Sequence, residues 1–329
     1  MNRTNLISTR FDPQADIKSH PFHRAIYLTG PTASGKTSVG VELARRINAE
    51  VIALDAFTLY RGMDIGTAKP TAAERQEVPH HLIDVIDPWE SASVADYRAW
   101  ALVKLLEIES RGRRVLFVGG TPLYLKSLLR GMFEGPSADP ALRDELEAEA
   151  EHRGDDALHS RLGSLDPLAA SRIHPNNRRR VIRALEVITL TGQPLSGLQT
   201  EHNMSGPAGL AVFALQRPRA LVCDRIDRRV PAMFEAGLVE EVRALISGPK
   251  PLHLVPSQGV GYREVIAFLK GEFSLKETIV RAQARTRQFS KRQGTWFRGL
   301  EEVKPWPVGD HETPEETAER LANSIAASG

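Results

Sequence analysis

The sequence predicts an α/β protein: a parallel sheet covered by helices, interrupted by an all-helical insertion. Three observations carry this. From 25 to 127, short apolar runs alternate with helical stretches, which is the pattern of a parallel sheet wrapped on both faces. From about 128 to 207 the strand-like runs stop and only helical patterns remain. The first apolar run leads directly into a glycine-containing loop and then a helix, a succession with its own chemical meaning.

The elements follow in order. Residues 1–20 carry Arg3, Arg10, Asp12, Asp16 and Lys18 with no apolar stretch, and read as a loose tail rather than a signal peptide. Residues 21–127 form the first part of the core. Its strands are expected at Ala25–Thr29, Glu50–Leu54, Leu82–Ile86 and Arg114–Val118, and its helices include Thr37–Ile47 and Ser93–Ser110. His80 and His81 follow Pro79 and read as the opening of a strand rather than a metal site. The insertion, 128–207, is bounded by Gly131, Gly135 and Pro136 on one side and by Gly192, Pro194, Gly197, Gly206 and Pro207 on the other. Within it, Asp166 before Pro167 reads as a helix cap, and Asn177 as the cap of a helix over Arg178–Thr191. Residues 208–329 complete the core, with a strand at Ala211–Leu215 and long helices at 219–236, 259–269 and 274–298. A final helix near 313–327 reads as peripheral.

Composition narrows the function classes. With 329 residues, 41% hydrophobic and 26% charged, the chain is ordinary for a soluble globular protein. A single cysteine, Cys223, excludes an intrachain disulfide framework and a Cys-rich zinc module, and suits a reducing cytoplasm. No apolar run reaches membrane-span length. Net charge is only +2, yet seven bases fall between Lys276 and Arg298 against the single acid Glu277, and Arg178–Arg180 with Arg183 form a second basic patch. Two such patches on a nearly neutral chain point to a polyanionic partner.

The chemistry is concentrated at strand ends. Gly30-Pro31-Thr32-Ala33-Ser34-Gly35-Lys36-Thr37 matches G-x-x-x-x-G-K-[ST] between a strand and a helix. Its backbone N–H groups and the helix N-terminus cradle a diphosphate or triphosphate, Lys36 neutralises oxygens, and Thr37 offers a hydroxyl to Mg²⁺. Asp55 closes the second strand, either as a metal-binding acid or as a general base. The loop Tyr60–Pro70 is too rich in glycine and polar residues for a regular element, and its place at the functional end of the sheet implies ligand contact. Gly119-Gly120-Thr121 permits close backbone approach, with a hydroxyl for phosphate. Arg225 could clamp a diphosphate, although on residues alone it reads as a surface arginine. Arg281, Arg285, Gln288 and Arg292 share one stripe of the 274–298 helix, followed by Trp296 and Phe297. Basic groups interleaved with aromatics fit a splayed RNA loop, while Phe289, Trp296 and Phe297 individually read as core.

Several longer segments resemble the bacterial-type tRNA dimethylallyltransferases. They are Gly30–Thr37, Tyr60–Pro70, Pro79–Asp84, Val118–Thr121, Arg172–Asn176, Arg183–Glu186, Gly261–Glu264 and Lys291–Arg298. The resemblance covers nearly everything from Ala25 to about Leu300. It implies a P-loop NTPase-like fold. It also implies transfer of a dimethylallyl group from dimethylallyl diphosphate to the N6 amine of the adenosine 3′-adjacent to the anticodon, in tRNAs reading codons that start with U. Asp55 matches the family's general base. Lys36, Thr37, Thr121 and Arg225, with Mg²⁺, would hold the departing diphosphate. Asp55, Ala56, Phe57, Thr58, Thr121, Arg143, Arg179, Arg180, Arg183, Gly259, Gly261, Tyr262, Arg263, Lys291, Arg292, Gln293, Trp296 and Arg298 match positions that meet the tRNA anticodon stem-loop. The enzyme is expected to be a cytoplasmic monomer.

Three positions depart from the family pattern: Ala56 stands where Ser is usual, Thr58 where Gln is common, and Pro231 should kink its helix. The rival readings are a phosphate-loop kinase, an isopentenyltransferase of free adenine nucleotides, and a non-catalytic RNA-binding module.

Overall fold

The structure, a computed structural model, describes residues 20–132, 135–198, 206 and 209–327. The expected N-terminal tail, except residue 20, and Pro207 lie outside the described residues. The chain divides into two compact units: Met1–Leu129 with Gly206–Gly329, and Arg130–Ser205.

The larger unit opens with β1 (Ile26–Thr29), α1 (Lys36–Arg46), β2 (Ala49–Ala53), α2 (Ala72–Glu77), β3 (His80–His81), α3 (Val94–Ser110), β4 (Arg114–Val118) and α4 (Pro122–Arg130). The smaller unit carries α5 (Pro140–Arg153), α6 (Asp155–Leu165), α7 (Pro167–Arg172), α8 (Arg178–Thr191) and α9 (Leu195–Leu198). The larger unit then resumes with β5 (Val212–Gln216), α10 (Arg219–Glu235), α11 (Leu238–Ile246), α12 (Leu254–Ser257), α13 (Tyr262–Leu269), α14 (Leu275–Arg298), β6 (Lys304–Pro307) and α15 (Pro314–Ala326).

The six strands form one parallel sheet in the order β3-β2-β4-β1-β5-β6. Every residue of β1 and β2 is buried, as expected where helices cover both faces. On one face Tyr27 stacks on Phe117 at 5.0 Å between ring centroids, and Tyr97 of α3 stacks on Tyr124 of α4 at 4.0 Å. On the other, α1 and α15 pack Val39, Leu43, Ala318, Leu321 and Ile325 against β1, β4 and β5.

The smaller unit has its own core of Leu146, Leu158, Leu162, Val181, Leu185 and neighbours. Asp166 caps α7 by accepting the Ala169 N–H at 2.9 Å.

Several expectations are corrected. The third strand is only His80–His81, not Leu82–Ile86. Leu82 and Asp84 adopt left-handed backbone (φ 59° and 57°). Asp84 is turned inward to the buried Lys69 ammonium at 2.6 Å, so charge pairing overrides the strand-like pattern. A sixth strand, β6, was not anticipated, because Lys304-Pro305-Trp306-Pro307 reads as a breaker; Pro is tolerated here because β6 is an edge strand. The last helix is not peripheral: its Thr317, Ala318 and Leu321 are fully buried. Asn177 makes no side-chain cap bond. The helix expected at 259–269 starts at Tyr262, where the Glu264 carboxylate accepts the Gly261 N–H at 2.8 Å. Pro231 lies inside the continuous helix α10. Proline cannot return a hydrogen bond to the carbonyl four residues earlier, and here the Gln283 side chain donates to that Asp227 carbonyl at 2.9 Å.

Candidate active site

The carboxyl ends of β1, β2 and β4 open into a cavity of about 730 Å³ within the larger unit. In open parallel sheets this is where ligands gather. The loop after β1, Gly30–Thr37, turns into α1 through Gly35, whose φ of +95° a side chain would strain. The N–H groups of the first turn of α1 therefore face the cavity end with the positive helix dipole behind them.

Cations crowd this loop. Lys36 donates to the Pro31 carbonyl at 2.7 Å. Burial pulls its pKa down to about 7, partly offset by Asp55 and reinforced by Arg229. Arg225 donates to the Ala33 carbonyl (2.9 Å), Arg229 to the Thr32 hydroxyl (2.7 Å) and Arg217 to the Ser34 carbonyl (3.1 Å). Burial and then Arg225 lower the pKa of both Arg217 and Arg229. Among the described residues, Arg229 Nε and Ser34 Oγ are buried with no hydrogen-bond partner. Buried donors without partners are rare in proteins, and these two suit phosphoryl oxygens. Arg217 and Arg229 were missed by sequence reasoning. Both had a signal: Arg217 directly follows a strand, and Arg229 lies one helical turn past Arg225.

Asp55 follows β2 and enters the same cavity. Its Oδ1 accepts the Phe57 N–H at 2.9 Å. Burial raises its pKa above the ordinary aspartate value, against the pull of the Phe57 N–H and of Lys36. Thr121 Oγ1 accepts the Ala56 N–H at 3.1 Å, which leaves its own proton free to donate. One side of the cavity is apolar, lined by Phe57, Val230, Met233, Phe234, Ala282 and Phe289.

Helix α14 presents two faces. Arg281, Arg285, Gln288 and Arg292 are exposed together, as are Lys291 and Arg298. Arg281 lies 3.7 Å over the Phe273 ring, and Trp296, read as core from sequence, is 41% exposed. Gln293, by contrast, is buried; its Oε1 accepts the Thr32 N–H at 2.8 Å and its Nε2 donates to the Gly120 carbonyl at 2.6 Å. It ties α14 to the phosphate loop. Phe57, Thr58, Gly259, Gly261 and Tyr262 line the cavity with Asp55 and Ala56, and Arg263 is exposed beside them. In the smaller unit, Arg143 (2.8 Å) and Arg183 (2.6 Å) converge on the buried carboxylate of Glu186, while Arg179 and Arg180 are exposed. Glu186 is held below the ordinary glutamate range by those two arginines and the Asp139 N–H, against the opposing effect of burial.

The sheet thus places a P-loop ringed by cations in one cavity with Asp55 and apolar side chains, an arrangement suited to group transfer. Comparisons with known proteins agree with this class. The family model described as IPP transferase matches residues 58–300. The chain is 46% identical over 288 residues to the tRNA dimethylallyltransferase of Geobacter metallireducens, covering 87% of this chain and 93% of that protein. It is 41% identical over 298 residues to that of Pelotomaculum thermopropionicum, covering 90% and 95%. Among solved structures it is similar to the tRNA isopentenylpyrophosphate transferase of Bacillus halodurans (TM-score 0.67, 41% identity, 93% of this chain and 96% of that one). It is also similar to a eukaryotic dimethylallyltransferase acting on tRNA (TM-score 0.75, 26% identity, 92% and 78%). The chain belongs to the IPP transferase family.

Proposed function

We propose that this protein transfers a dimethylallyl group from dimethylallyl diphosphate to the N6 amine of the adenosine 3′-adjacent to the anticodon, in tRNAs reading codons that start with U. The observation that carries this is the sharing of one cavity by a cationic phosphate loop, a buried carboxylate and an apolar wall. Val230, Met233, Phe234 and Phe289 in the same cavity offer hydrocarbon contact to a dimethylallyl group. The names of the relatives point the same way.

Gly30–Thr37, braced by Arg217 at the Ser34 carbonyl, binds the diphosphate with Arg225 and Arg229, and the charge that grows on it as the carbon–oxygen bond breaks is met by donors already in place. The N6 nitrogen bonds to the freed allylic carbon, and Asp55 accepts the N6 proton. Burial raises the basicity of that carboxylate, which suits it to the role. The Thr121 hydroxyl donates a hydrogen bond to the diphosphate. The adenosine must leave its stack to reach the site. Ala56, Phe57, Thr58, Gly259, Gly261 and Tyr262 receive it, and Arg143, Arg179, Arg180, Arg183, Arg263, Lys291, Arg292, Trp296 and Arg298 meet the anticodon stem-loop.

Magnesium fits the donor set. The described residues hold no cluster of three or more potential metal-ligating His, Cys, Asp or Glu, but Mg²⁺ on a diphosphate keeps several waters and needs few protein ligands. The Thr37 hydroxyl would hold it, and the ion would neutralise charge on the leaving group. Among the described residues no helix is long and apolar enough to cross a membrane. The enzyme is taken to act as a monomer in the cytoplasm, where its RNA substrate is.

Asp55→Asn tests the assignment. With labelled dimethylallyl diphosphate and unmodified tRNA, the wild type is expected to label the RNA. The variant should lose at least about 100-fold in kcat, the usual scale for a general base, while still binding donor. Phosphoryl transfer from ATP with no use of the prenyl donor would overturn the proposal.

A further inference from the structure

We infer that Glu241 is a positioning residue for the acceptor side of the cavity. Its carboxylate draws the loop after Asp55 and the segment that opens α13 into one wall. The residue stands on α11, outside the cavity and outside every motif singled out from the sequence.

Four donors converge on this one group. Oε2 accepts the Asp64 N–H at 2.9 Å and the Ile65 N–H at 2.7 Å. Oε1 accepts the Gly66 N–H at 3.2 Å and the Tyr262 hydroxyl at 2.6 Å. Three consecutive backbone N–H groups turned to one point form a nest that only an anion satisfies fully, and Glu241 supplies that anion from a different element. Gly66 in turn lies flat against Tyr262: a β-carbon there would be 2.4 Å from the ring. Burial, then the Glu241 charge, keeps the Tyr262 phenol protonated and therefore a donor.

The two segments held this way both face substrate. Gly66, Thr67 and Ala68 from the loop, and Gly259, Gly261 and Tyr262 from the other side, line the cavity that contains Asp55. The Gly66–Ala68 loop belongs to the connection from β2 to β3, and β4 separates β2 from the β1 strand that carries the phosphate loop. None of the four Glu241 bonds involves the phosphate loop. Glu241 is therefore expected to govern how well the adenosine is received and to leave diphosphate binding alone.

The inference rests on the reading of Asp55 as the base beside the acceptor, and steady-state kinetics of the full chain with tRNA and dimethylallyl diphosphate distinguish the two. Glu241→Ala is expected to raise the KM for tRNA about tenfold or more, with the KM for the prenyl donor within about twofold of wild type, on the scale of losing hydrogen bonds to a charged acceptor. Glu241→Gln, which still accepts through one oxygen but turns its amide NH2 toward two of the four donors, should fall between. Tyr262→Phe keeps the ring against Gly66 and removes only the hydroxyl, so it remains informative if Glu241→Ala does not fold; a tRNA KM raised about threefold is expected. Combining Tyr262→Phe with Glu241→Ala should add little to Glu241→Ala alone, because the acceptor of the Tyr262 hydroxyl is already gone. Unchanged tRNA KM in a folded Glu241→Ala overturns the inference. So does a parallel loss toward tRNA and donor, which would mark a merely structural role. Absence of transfer in the wild type would instead overturn the functional reading itself.

Discussion

Lys36, Arg217, Arg225 and Arg229 stand around one loop with Asp55 as the nearby carboxylate. Burial, reinforced by the Arg229 charge, disfavours protonation of Lys36, and the lysine gives way before the arginines because an amine releases its proton more readily than a guanidinium. A bound diphosphate reverses this. Its charge favours the ammonium, so the Lys36 pKa rises from about 7 and the site takes up a proton. Calorimetry of dimethylallyl diphosphate binding, in buffers of differing ionisation heat, should show uptake approaching about one proton near pH 8.5, where the diphosphate ester is itself fully ionised, shrinking toward about pH 6 where Lys36 already carries its proton. No uptake at the higher pH would refute this picture. The other residue-scale lesson concerns Ala56. Its lost hydroxyl leaves the backbone N–H in place, and that N–H still fixes Thr121; the departure from the family pattern removes a possible polar contact without dismantling the site.

At the scale of elements, α14 divides its labour between adjacent residues. Arg292 is exposed, whereas Gln293 is buried between Thr32 and Gly120. Arg292→Ala should therefore weaken tRNA binding and reduce its salt dependence by about one counterion. Gln293→Met should instead raise the KM for the prenyl donor, by about tenfold if both hydrogen bonds are lost, with tRNA affinity close to wild type. Equal effects on both substrates from both changes would contradict the division. The phosphate loop, Asp55 and the Gly119–Thr121 turn were legible because each is a short motif fixed to the end of an apolar strand. The inward turn of Gln293 was not, since in a basic stretch it looks like another RNA contact. Arg217 and Arg229 carried a signal in their positions, but nothing tied them to the phosphate loop before the Ser34 carbonyl and the Thr32 hydroxyl to which they donate were placed. The strand expected at Leu82–Ile86 failed for a similar reason: the buried Lys69 that claims Asp84 lies 15 residues earlier, beyond the reach of periodicity. Apolar runs without a distant charge partner, such as Ile26–Thr29 and Arg114–Val118, were read correctly.

At the scale of the molecule, the sheet is held by helices from both ends of the chain. α15, the last helix, covers the same face as α1, the helix that bears Lys36. Leu321→Ala removes a fully buried side chain there and should cost about 2–5 kcal/mol in denaturant unfolding, the usual range for such truncations. A loss below about 0.5 kcal/mol, typical of surface positions, would return α15 to the periphery. The order of the strands has a further consequence. β1 sits between β4 and β5, and β5 begins only at Val212. A nascent chain emerging from the ribosome therefore carries the phosphate loop on a strand whose second neighbour has not yet been translated. That open edge persists while the whole smaller unit is synthesised, so prematurely terminated products ending near residue 200 should aggregate, and full-length yield in cells should depend on chaperones that shield unpaired strands.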